Sequence, residues 1–216
     1  MEKPLKNGIF WDEYYALKKG VDFPSPFAEF CLGNYIQKNS RVLELGCGNG
    51  RDAFYFSQNE ISVLGLDSSS VAVTACNDRV MGTELMERLR FSVADFTEIE
   101  RYYQEGMNII YSRFSLHSVT EDAESSILLK TYEILPRNGL FLTEVRTILD
   151  ELFRQGKKIG EKEFVTDHYR RFIESSEFLK KCLSMGWKVK YFTENRGLAS
   201  YKNEDPTVAR FVLMKK

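Results

Sequence analysis

The stretch Arg41 to Asp52, RVLELGCGNGRD, sets the strongest limit on what this chain can fold into. Val42, Leu43 and Leu45 form a short apolar run of strand type, and Gly46, Gly48 and Gly50 follow at alternate positions. A strand that halts on three glycines, with a helical pattern beyond, is the first βα turn of an open α/β sheet. Glycine serves there for backbone reasons: it allows positive φ in a tight turn, and without a Cβ it lets a ligand lie against the main chain. The free N–H groups of the turn and of the next helix then face whatever is bound. Glu44, at the strand end, brings a carboxylate to the same place.

Three readings fit this turn. Gly48-Asn49-Gly50-Arg51-Asp52-Ala53 satisfies the dinucleotide fingerprint G-x-G-x-x-G/A. ELGCGNG resembles motif I of the class I S-adenosylmethionine (SAM) dependent methyltransferases, an acid followed by G-x-G-x-G. A bare strand-to-helix turn without a ligand is the third. Asp67 ends the next strand-type run, ISVLGLD, about 20 residues past the glycines, where it is placed to accept hydrogen bonds from two ribose hydroxyls. NAD and SAM both carry that ribose, so Asp67 supports a nucleoside without separating the two. Its other role, compatible with the first, is to cap a helix that starts at Ser68-Ser69-Ser70.

The methyltransferase resemblance is carried further by Ala94-Asp95-Phe96, which ends the third strand-type run, LRFSVADF. In that family an acid here accepts from the adenine amino group and the next residue presents its backbone to the ring; a plain turn is the competing reading. LPRNGLF, from Leu135 to Phe141, is similar to the L-x-P-G-G-x-L/F phrase of many members. The resemblance implies that Glu44, Gly46, Gly48, Gly50, Asp67, Ser68, Asp95, Phe96 and Ser112 hold SAM. It also implies that the aromatic segment within residues 1–39 is a helical cap over the methionine end, with Tyr15 on the cofactor and Tyr14 toward the acceptor. On the residues alone, these aromatics equally well cover the sheet.

Met107–Tyr111 reads as the fourth strand, with Ser112 to His117 beyond it at the carboxyl edge, where open α/β sheets bind ligands. His117 is the candidate base and Glu144, on strand five (Leu140–Val145), the second; Arg113 stands four residues before His117. Residues 150–185 read as a polar helical insertion. In the family that region builds acceptor specificity, so Arg146, His168, Tyr169, Arg170 and Arg171 join Tyr14 as acceptor-binding candidates; a solvated basic helix face is the alternative. WKVKYFTENRG and TVARFVLMKK form the closing antiparallel hairpin.

At 216 residues the chain fits one domain, residues 1–216. Net charge is −1, so no basic field recruits nucleic acid or anionic lipid. No apolar run approaches the roughly 20 residues of a membrane span, and the start MEKPLKNG is not a signal peptide. Four scattered cysteines and two histidines lack metal-ligand spacing, so no metal is expected. The expectation is a Rossmann-like α/β fold: a mixed seven-stranded sheet, helices on both faces and a C-terminal antiparallel hairpin. A cytoplasmic monomer or homodimer is expected, using SAM, releasing S-adenosylhomocysteine and acting on a small molecule. Arg113, Arg146, His168, Arg170, Arg171 and Arg196 gather at one edge, which argues for a phosphate or carboxylate on the acceptor. DHYRRF and NRGLASYKNEDP resemble segments of bacterial enzymes that methylate surface polysaccharides or their precursors. A nicotinamide oxidoreductase and a non-catalytic SAM-binding protein are the alternatives.

Overall fold

The computed structural model describes residues 7–17 and 23–216, so parts of the expected N-terminal cap lie outside the described residues. Five parallel-type runs build the sheet: β1 (Arg41–Leu45), β2 (Ser62–Asp67), β3 (Leu89–Val93), β4 (Ile109–Arg113) and β5 (Leu140–Arg146). β9 (Lys188–Asn195) and β10 (Val208–Met214) complete it in the order β3-β2-β1-β4-β5-β10-β9. β10 runs antiparallel to both β5 and β9. This is the expected mixed seven-stranded sheet with its terminal hairpin.

Period-2 alternation sorts the strand residues between two cores. Val42, Ile109, Tyr111 and Leu142 point to one face, against α2 (Pro26–Asn34), α3 (Arg51–Gln58) and α4 (Ser70–Val80). Leu43, Ile110, Phe141 and Phe211 point to the other, against α5 (Glu121–Ile134) and α6 (Ser175–Ser184). Ser25, Ser69 and Thr120 cap α2, α4 and α5 through their hydroxyls. α3 is different. Its N-cap is Gly50 in the left-handed region, with no side-chain cap, so the helix start is left open toward the glycine turn. α1 (Asn7–Leu17) lies across the same edge, with Asp12 accepting from Ser69 Oγ at 2.6 Å and from the Val71 backbone N at 3.2 Å.

Two expectations are corrected. β4 begins and ends two residues later than read, because Arg113 pairs with Glu144 and Ser112 with both Leu45 and Thr143. The insertion is not mainly helical. It is a three-stranded antiparallel sheet of β6 (Lys157–Lys158), β7 (Glu163–Val165) and β8 (Tyr169–Arg171), and only α6 is helix. Gly156, at φ 83°, breaks any helix there. Phe164 and Phe172 turn inward onto Phe153, with ring centroids 5.5 Å apart in both pairs, and make a small aromatic core. No helix among the described residues is long and apolar enough to cross a membrane.

Candidate active site

The carboxyl ends of β1, β2, β4 and β5 open into one cavity of about 910 Å³, roofed by α1 and walled by the insertion. Gly46, Cys47 and Asn49 of the glycine turn form its floor. Gly46 and Gly48 have φ of 71° and 52°, and a Cβ on either would overlap a side chain already present, Ser115 at Gly46 and the Tyr15 phenol at Gly48. Gly50 serves another purpose. Its missing Cβ makes room for Cys76, Phe91 and Phe54 in the core, so it supports the turn rather than lining the cavity.

Acids gather on the β1–β3 side. Glu44 is 4% exposed and its Oε2 has no hydrogen-bond partner. Burial pushes its carboxyl well above the usual range, and the neighbouring charges of Asp52 and Asp67 push the same way. Asp67 accepts from the Gly48 backbone N at 2.8 Å and from the Ser69 backbone N at 2.9 Å. It therefore pins the turn and begins α4 at once, and burial outweighs both bonds to raise its carboxyl. Asp95 caps the short 3-10 turn that follows β3 by accepting from Thr97 N at 2.9 Å. Ser68, Asp95, Phe96, Tyr14 and Tyr15 all line the cavity.

Basic side chains gather on the β4–β5 side. Arg113, His117, Arg146, His168 and Arg170 line it. His117 is buried with an unpartnered Nδ1, and burial, then Arg146 and Arg170, hold its imidazole well below the ordinary value. His168 stacks on Phe10 of α1 at 4.8 Å and lies 3.0 Å from Asp167. α1 thus touches both halves of the cavity.

Besides Gly48 and Gly50, five more candidates do not line the cavity. Ser112 is fully buried inside β4 and does not reach the cavity. Glu144 is also fully buried, with one oxygen on Arg113 at 2.9 Å and the other on Arg210 at 2.7 Å, so no oxygen remains for a proton-transfer role. Along β8 only Arg170 faces the cavity. Tyr169 and Arg171, one residue to either side, point the opposite way: Tyr169 donates to Glu163 at 2.9 Å, and Arg171 pairs with Glu124. Arg196 is bound to Asp205 at 3.4 Å, outside the cavity.

The sequence reading missed Asp52, Phe114, Ser115, Asp167, Tyr201 and Glu204, all lining residues. Asp52 accepts from Ser25 N, Ser25 Oγ and the Tyr111 hydroxyl, tying α3 to α2 and β4. Phe114 holds a φ of 57° and places its ring under Arg113, 4.2 Å from the guanidinium carbon. The available signal was Asp52 itself, an acid directly after the glycines; the others sit in loops with no motif.

Strand-tip acids, the glycine turn and the antiparallel β10 define a nucleoside-binding α/β fold of methyltransferase type. Residues 42–139 match the family model described as a methyltransferase domain. The 27-O-demethylrifamycin SV methyltransferase of Amycolatopsis mediterranei is 29% identical over 87 residues, covering 40% of this chain and 32% of that protein. This chain's match thus spans about a third of that relative's length. Among solved structures, the CcbJ methyltransferase of Streptomyces caelestis superposes with a TM-score of 0.72 at 13% identity, covering 100% of both chains. The glycopeptide N-methyltransferase MtfA complexed with SAM does so with 0.64 at 15% identity, covering 88% of this chain and 94% of that one. Over residues 42–139 the chain is similar to SAM-dependent methyltransferases, and its fold is theirs. SAM is the ligand of that MtfA complex, and this cavity has one feature that suits such a cofactor: the buried Glu44 carboxyl, whose Oε2 has no partner among the described residues, matches a cationic amine.

Proposed function

We propose that this protein transfers a methyl group from SAM to a small acceptor bearing a phosphate or carboxylate. The observation that carries the proposal is the placement of three guanidiniums. Glu44, Asp67 and Asp95 line one side of the cavity, and Arg113, Arg146 and Arg170 the other, where the only acids among the described residues beside Arg146 and Arg170 at the cavity surface are the exposed Glu204 and Asp167. The acid side suits a cofactor with a sulfonium, an ammonium and ribose hydroxyls; the cationic side suits an anion. In this reading Glu44 takes the amine, Asp67 the ribose, and Asp95 with Phe96 the adenine, while Tyr15 packs over the glycine turn. Bound there, the cofactor supplies an already electrophilic methyl group. The protein's work is then alignment, worth several kcal/mol of barrier. His117 is the candidate base: it lines the cavity and its burial favours the neutral imidazole that a base requires. Phosphorylated sugars, the precursors of polysaccharides, belong to the acceptor class this cavity suits.

Labelled SAM incubated with pools of phosphorylated and carboxylated metabolites, and with their neutral counterparts, tests the proposal. Transfer confined to the charged pool is expected, and Asp67→Ala should weaken SAM binding by about 1.5–3 kcal/mol. Transfer to neutral acceptors alone would refute the anion reading. SAM binding without transfer to any pool would favour a sensor.

A further inference from the structure

We infer that Glu204 is an exchangeable counter-ion standing where the acceptor's anionic group binds, and that it sets which acceptors the cavity admits. The inference rests on the anionic-acceptor reading and deepens it. Arg146 ends β5 in the cavity wall, and its two terminal nitrogens have unlike partners. Nη1 lies 3.1 and 3.2 Å from the two carboxylate oxygens of Asp150. That carboxylate is fully buried and also accepts from Leu152 N at 3.0 Å and Thr207 N at 2.9 Å. Four bonds hold it in place, and it alone satisfies the charge of Arg146.

Nη2 faces Glu204 Oε2 at 3.0 Å, and here the partner is of a different kind. The Glu204 side chain is 73% exposed, and Arg146 is its only side-chain partner among the described residues. An ion pair with one member in solvent contributes little to stability. With Asp150 already present, the second carboxylate is not needed to neutralise Arg146, although Arg170 also feels it across the cavity wall. Glu204 rides on the tight turn Tyr201–Glu204, whose ends exchange backbone hydrogen bonds at 2.9 and 3.0 Å. Tyr201, Glu204 and Pro206 of this connection all line the cavity.

An acceptor whose phosphate or carboxylate reaches Nη2 must displace this carboxylate, and it replaces one anion with another at little net electrostatic loss. A neutral acceptor offers nothing in exchange and leaves Glu204 in its place at the cavity wall. Glu204 therefore acts as a charge filter rather than as a structural link.

The test uses the protein loaded with S-adenosylhomocysteine and inorganic phosphate as the probe, at constant ionic strength. His117 and His168 are the chain's two histidines and both line the cavity, so their imidazole resonances report phosphate directly. Glu204→Gln keeps the shape and removes the charge; it should bind phosphate about fivefold more tightly than the parent, the weight of one exposed ion pair. Glu151→Gln, which removes an exposed carboxylate next to Asp150, should leave the affinity as it was. S-adenosylhomocysteine affinity should be unchanged in both. Phosphate binding that is equal or weaker in Glu204→Gln overturns the filter and leaves the anionic-acceptor reading standing. Loss of S-adenosylhomocysteine binding in that variant makes Glu204 structural and overturns it too. No phosphate-linked shift in any protein defeats the anionic-acceptor reading, and this inference with it.

Discussion

Replacing Glu44 by Gln should move stability and cofactor binding in opposite directions. Glu44 is buried and one carboxylate oxygen has no partner, while Asp52 and Asp67 add repulsion to the cost of its burial. Its folded pKa is raised. Such a carboxyl contributes stability below its unfolded value, and that contribution is lost as pH rises through the folded value. Above the unfolded value the buried carboxyl therefore costs the free protein stability, so Glu44→Gln should unfold at the same or a higher temperature. Cofactor binding should behave differently. If the carboxylate receives the amino group, its loss removes a charge-assisted hydrogen bond of about 1.5–3 kcal/mol, or roughly 10- to 150-fold in the Kd for S-adenosylhomocysteine. The raised pKa adds a second signature. Above the ordinary value of 4.5, the parent should release a proton on binding, and its affinity should rise with pH; the steepest slope is about tenfold per pH unit. Titration calorimetry in two buffers of different ionisation enthalpy measures that proton. A variant that binds as tightly as the parent, or that releases the same proton, refutes the assignment.

His117, depressed by burial and then by Arg146 and Arg170, stays neutral below its ordinary value of 6.5; kcat/KM should therefore be flat above that pH and fall only below it, while His117→Asn lowers the rate about 100-fold and leaves S-adenosylhomocysteine affinity alone. The same depression means that the unfolded chain takes up the proton first, so stability should decline as pH falls below 6.5, and less so in the Asn variant; an acid limb at or above 6.5, or a variant that turns over like the parent, removes the base role. Phe114→Gly relieves a left-handed backbone strain of roughly 1–2 kcal/mol but takes away the ring beneath Arg113 and 5.7 Å from Arg146. Thermal unfolding should show no loss of stability while methyl-transfer activity falls; a drop of several degrees with activity intact would mean that the ring serves packing alone.

The sheet was legible because each strand is a short apolar run ended by glycine, acid or turn residues. The acid side of the cavity was legible for a related reason: Glu44, Gly46, Asp67 and Asp95 sit at or just past strand tips, and in a parallel sheet the tips share an edge. Depth at the tip was not legible. β4 carries two residues more than its apolar run, since Ser112 and Arg113 are held by pairing with Leu45, Thr143 and Glu144. A serine that reads as the first loop residue is thus fully buried in the sheet. The insertion failed for want of a period. KKIGEKEF and DHYRRF are polar enough to pass for a helix face, and their alternation extends over only three residues per strand. With β8 recognised, Arg170 would have separated from Tyr169 and Arg171 at once, because neighbours on a strand face opposite ways.

The arginines show why residue type at one edge is not yet a site. Six cations looked available, but a charge in a fold is available only after its counter-ions are counted. Arg113 shares Glu144 with Arg210, partners 31 and 66 residues from that acid. Arg171 is taken by Glu124 at a separation of 47, and Arg196 by Asp205. None of these pairings has a local pattern, since each is made by strand register or by helix packing. What remains toward the cavity is the Nη2 edge of Arg146, opposite the exposed Glu204, and Arg170, whose nearest acid is the exposed Asp167 at 3.6 Å. An anion seated between those two guanidiniums would meet donors whose present partners are both solvated and replaceable, whereas at Arg113 or Arg171 it would have to expel a buried carboxylate and leave that charge unpaired. If the acceptor is anionic as proposed, its charged group should be read out by Arg146 and Arg170 together.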